Sequence, residues 1–104
     1  MDYGRSLVMN ITISDEAAKW FQDELDLKDG GYIRFFARYG GASPVQQGFS
    51  LGMSNQEPET TVGPSVKVNE ITYYVLEKDL WYFDGHDLKV EFNQDAQEPE
   101  YKYI

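Results

Sequence analysis

The chain has 104 residues, 41% apolar and 26% charged, with one histidine and no cysteine; that length holds one domain and one core. The missing cysteines exclude disulfides, thiolate nucleophiles and Cys-held zinc or iron–sulfur sites. Eighteen acids against nine bases give a net charge of −9 and a pI near 4.4, which favours solubility and argues against nucleic acid and anionic membrane as partners.

Residues 1–9 show no hydrophobic period and are read as a loose leader before a single domain at 10–104. The start, Met1-Asp2-Tyr3-Gly4-Arg5, has an acid and no long apolar core, unlike a secretory signal. The longest apolar run, Tyr73-Tyr74-Val75-Leu76, is far below the roughly 18 residues of a membrane span. A cytoplasmic location is therefore expected, and the sequon match Asn10-Ile11-Thr12 is read as chance. Ile11 and Ile13 alternate with Thr12 as a short strand. Ser14 is placed to cap a helix whose first turn carries Asp15 and Glu16, favoured there by the helix dipole. Ala17, Trp20, Phe21 and Leu25 form its apolar stripe, and Gly30-Gly31 are expected to end it.

At residues 32–39 the period shortens to two: Ile33, Phe35 and Ala37 alternate with Arg34, Phe36 and Arg38, as in a strand with one dry face. Gly40-Gly41-Ala42-Ser43-Pro44 breaks that strand. Phe49, Leu51 and Met53 alternate in another; residues 54–64 read as a loop. Val66 and Val68, then residues 71–75, give two further strands. One helical turn is expected at residues 77–81 and a tight turn at Asp84-Gly85. Leu88, Val90 and Phe92 make the last strand, before an acidic and then aromatic tail. The expectation is a mainly β (α+β) domain of about six short strands covered by one amphipathic helix.

Chemistry-bearing motifs are sparse. Gly48-Phe49-Ser50-Leu51-Gly52 matches the G-x-S-x-G nucleophile elbow, with His86 and aspartates downstream. The strand–turn–helix context is missing, and the chain is too short for that hydrolase fold. His86, within Asp84-Gly85-His86-Asp87, could join a metal or hydrolytic site, but lacks a second histidine and reads better as an exposed turn residue. Arg34 and Arg38 share strand parity. With Tyr39, Gly40, Gly41 and Ser43 they could hold a small anion, or they could pair with the chain's many acids. Trp20, Trp81, Tyr82 and Phe83 are expected in the core.

The order Ile11-Thr12-Ile13-Ser14-Asp15, Ala17-Ala18, Ile33-Arg34-Phe35, Gly40-Gly41-Ala42-Ser43, Gly48-Phe49-Ser50-Leu51-Gly52 and Asp84-Gly85-His86-Asp87 resembles the HesB/IscA-like A-type iron–sulfur carriers, and within them the YneR-like branch. The resemblance implies a β pseudo-barrel capped by its helix, and a small accessory or binding protein, not an enzyme, with a link to iron–sulfur cluster assembly. Ala42 stands at the family's first cysteine and the tail lacks the other two, so neither cofactor nor metal is expected. A protein partner or a small anionic ligand remains open, as does a homodimer.

Overall fold

A computed structural model describes residues 9–104. Residues 1–8 of the expected leader lie outside the described residues. Met9, its last residue, is only 5% exposed and packs into the core.

Among the described residues, seven strands form two sheets. The first has the order β1 (Ile11–Ile13), β6 (Leu88–Asn93), β7 (Glu98–Tyr103), with β1 parallel and β7 antiparallel to β6. The second has the order β3 (Gln47–Ser54), β2 (Tyr32–Ala42), β5 (Ile71–Leu76), β4 (Val62–Val68). There β2 and β5 run parallel in the middle, with antiparallel partners at both edges. The mainly β expectation holds, but among the described residues the two sheets keep open edges and do not close into a barrel.

The helix α1 (Asp15–Glu24) starts where its cap predicts: the Ser14 hydroxyl accepts the Ala17 N–H at 3.1 Å. It ends earlier than the glycines suggest. Asp26 takes the left-handed conformation at φ 49°, and the Leu27 N–H donates to the Gln22 carbonyl at 3.1 Å, a Schellman closure built without glycine. Gly30 and Gly31 instead tie the following loop to β5, with Gly30 N–H on the Glu70 carbonyl and Thr72 N–H on the Gly31 carbonyl.

Ala17, Ala18 and Phe21 are the buried residues of α1. The Phe21 ring meets Tyr73 at 5.7 Å and Phe35 at 6.2 Å, both edge-on, in a core shared with Ile33, Ile71, Val75, Leu88 and Val90. Trp20, expected inside, is half-buried on the helix flank. There it lines a shallow groove of about 370 Å³ with Glu16, Lys19, Asp23, Phe92 and Gln94.

The expected single turn is a 3-10 helix, Glu77–Phe83, with Leu80, Tyr82 and Phe83 buried. Trp81 points outward at 50% exposure, against the expectation that it packs inside. The tail adds the seventh strand: Pro99, Tyr101 and Tyr103 turn inward, and the Tyr82 and Tyr103 hydroxyls lie 2.8 Å apart. No helix among the described residues is long and apolar enough to cross a membrane.

Candidate functional site

Strand β2 pairs with β5 only at residues 32–35, but with β3 at residues 34–42. Past Phe35, β2 and β3 therefore run on as a two-stranded ribbon. Register sets Ala37 opposite Leu51 and Tyr39 opposite Phe49, so alternation carries the face of Ile33 and Phe35 beyond the core. Tyr39 is 87% exposed. Its ring stands edge-on to Phe49 at 5.7 Å, and Phe49 edge-on to Trp81 at 5.0 Å. Arg38 lies on the opposite face, exposed and opposite Ser50, with no carboxylate paired to it among the described residues.

Local chemistry explains the ribbon's shape. Gly40 and Gly41 have φ of 106° and 72°, and the pairing register shifts between Tyr39 and Ala42. Two consecutive left-handed residues in a strand are steric territory for glycine, and the bulge they build strengthens the twist. The tip is closed by Ser43, whose hydroxyl accepts the Gln46 N–H at 3.1 Å. Gln46 Nε2 then donates to the Trp81 carbonyl at 3.3 Å.

An ion pair fixes the second wall. Arg34 Nη2 donates to Asp79 Oδ2 at 2.8 Å, with the two side chains 14% and 10% exposed. The guanidinium also lies 5.0 Å from the Phe36 ring centroid, a favourable cation–π placement. This pair ties the 3-10 helix to β2 and so helps set Trp81 against Phe49.

The structure does not bring Arg34 and Arg38 into one cleft. Four residues apart on a strand, they are separated by about 13 Å, and Arg34 is already neutralised by Asp79. Arg38, Tyr39, Gly40, Gly41 and Ser43 do gather at the ribbon's end, where Ala42 is exposed and paired with Gln47. His86 stands apart, exposed, its backbone N–H on the Phe83 carbonyl at 2.9 Å. Its neighbour Asp87 accepts the Asn10 N–H. No group of three or more His, Asp or Glu side chains converges among the described residues.

Sequence reasoning missed Phe49 and Trp81 as members of a surface cluster. A signal was available: residues 30–56 contain Arg34 and Arg38 but no Asp or Glu, although the chain holds 18 acids. The ribbon is the one long acid-free stretch of an acidic protein.

No protein-family model and no solved structure matches the chain. Among curated proteins it is 48% identical over 95 residues to the pyruvate dehydrogenase inhibitor of Bacillus subtilis, covering 91% of this chain and 99% of the relative. An uncharacterized protein of Staphylococcus saprophyticus is 36% identical over 95 residues, covering 89% and 97% of the two chains. One of Staphylococcus haemolyticus is 38% identical over 85 residues, covering 80% and 86%.

These relatives overturn the resemblance to A-type iron–sulfur carriers and the assembly role it implied: the near-full-length relative carries an inhibitor's name. The segments behind that resemblance have local structural causes. Gly48-Phe49-Ser50-Leu51-Gly52 is strand β3, where Gly48 takes φ 86° and the Phe36 ring occupies the space a side chain at Gly52 would need. Asp84-Gly85 is a left-handed turn closing the 3-10 helix. Short glycine-punctuated strands of this kind recur for backbone reasons, whatever the family. With 48% identity over nearly its whole length, the chain belongs to the family of the Bacillus subtilis pyruvate dehydrogenase inhibitor.

Proposed function

We propose that this chain is a non-catalytic regulator that lowers pyruvate dehydrogenase activity by binding the enzyme. The observation that carries the reading is the 48% identity, over 91% of this chain, to a relative named for that inhibition. The surface is compatible with it. Inhibition by contact requires an exposed recognition patch, not a convergent catalytic constellation, and aromatic residues with arginine are enriched in such patches. Tyr39, Trp81 and Arg38 are exposed on neighbouring elements. The acidity and the short apolar runs support a cytoplasmic setting for that contact.

Initial rates of purified pyruvate dehydrogenase, measured across a titration of the purified full chain, test the reading. A dose-dependent fall in pyruvate turnover is expected. An unchanged rate with the chain in large molar excess overturns it.

A further inference from the structure

We infer that the β2–β3 ribbon, flanked by Trp81, is the surface on which the enzyme is recognised, and that its counterpart is a cleft apolar on one wall and carboxylate-bearing on the other. This assignment rests on the functional reading above and adds the place and chemistry of contact.

Three observations converge on the ribbon. First, β2 and β3 pair beyond residue 35 without a third strand; Ala37, Phe49 and Leu51 still pack against the core, and Tyr39 at the far end is left uncovered. Second, its two faces differ in chemistry. One carries Tyr39, Phe49 and Trp81 in edge-on contact, with Tyr39 almost fully exposed. The other carries the exposed Arg38. Third, all 18 acids of the chain lie outside residues 30–56, so the ribbon is uncharged except for its arginines, while the rest of the surface is strongly negative.

Charge decides the occupant. A second copy of this chain would bring another −9 and, from its own ribbon, no carboxylate for Arg38. Like-charged bodies oppose that approach. An enzyme cleft with carboxylates on one wall satisfies Arg38, and an apolar opposite wall desolvates the aromatic cluster. Such a contact would seat Tyr39 and Trp81 as buried anchors, with Arg38 setting the orientation.

The test measures the affinity of the full chain for purified pyruvate dehydrogenase, using wild type, Arg38→Glu, Tyr39→Ser and Lys67→Glu. Arg38 and Tyr39 are exposed, so neither change opens the core; Tyr39→Ser removes the edge-on contact with Phe49, and thermal melts check that each variant is folded. Lys67, 60% exposed on β4, controls for the same change of charge placed elsewhere. Arg38→Glu and Tyr39→Ser are each expected to weaken binding by roughly tenfold or more, and Lys67→Glu by no more than about twofold. Folded ribbon variants that bind like wild type overturn the ribbon assignment and leave the inhibitor reading standing. Wild type that does not bind the enzyme overturns both. A wild-type dimer that Tyr39→Ser makes monomeric assigns the ribbon to self-association and also overturns the proposal.

Discussion

Asp79 and Arg34 form the least exposed ion pair among the described residues. Removing one partner strands the other charge in a poorly solvated place, a loss of about 3–5 kcal/mol for buried pairs. Asp79→Ala should therefore lower the unfolding free energy from urea titration by an amount of that order, and the fluorescence of Trp81 should change because its helix loses the tether to β2. A midpoint equal to wild type would show that the pair holds nothing. Tyr73 presents the opposite case. Its hydroxyl is buried and finds no hydrogen-bond partner among the described residues, and burial pushes its pKa up to about 12. Tyr73→Phe should leave stability unchanged or raise it by about 1 kcal/mol; a clear loss in denaturant titration would reveal a partner for that oxygen. Neither fact is legible in the chain. That Arg34 pairs with some acid can be anticipated, but not that the partner is Asp79, 45 positions away, and Tyr73 reads as one more strand aromatic.

At the scale of elements, legibility follows locality. The start of α1 could be read because a cap and its N–H partner lie three residues apart. Strands β1 and β2 could be read from alternation, and β5 from its run of β-branched and aromatic residues. Strand β7 could not, because its charged residues Glu98, Glu100 and Lys102 mask the inward Pro99, Tyr101 and Tyr103, and the rings that Tyr101 and Tyr103 meet, Phe35 and Tyr82, lie far off in the chain. The helix's buried face is turned from the apolar stripe: Ala18, not Trp20, completes it with Ala17 and Phe21. Two truncations measure that difference. Phe21→Ala should cost about 3–5 kcal/mol by leaving a cavity, whereas half-buried Trp20→Ala should cost less than about 2 kcal/mol. Equal losses in thermal or chemical melts would place the Trp20 ring inside after all. The ribbon lay at the limit of sequence reading: its strands and glycines were legible, but not that β5 stops short of it.

For the whole molecule, charge is segregated: an acidic body carries an acid-free ribbon. The core is also rich in phenols that resist ionisation. Burial pushes Tyr73 and Tyr101 up to about 12. Tyr103 is pushed up further, by burial first and then by its hydrogen bond with Tyr82. A folded pKa raised above the ordinary 10.0 means stability that is fully present below pH 10 and is lost as pH rises through the folded values. An alkaline titration should accordingly show exposed tyrosines ionising first and the buried ones together with unfolding. Smooth independent ionisation of all eight tyrosines while the fold persists would contradict that core.

On the proposed reading, a folded surface of this chain silences pyruvate dehydrogenase by contact alone. The most direct measurement is the pyruvate dehydrogenase rate at a saturating amount of the chain, followed by dilution of the mixture. Reversible contact predicts a rate that falls to a plateau, then recovers on dilution with both proteins chemically unaltered. A rate that never falls, or an inhibition that persists after dilution through a covalent change in the enzyme, would contradict it.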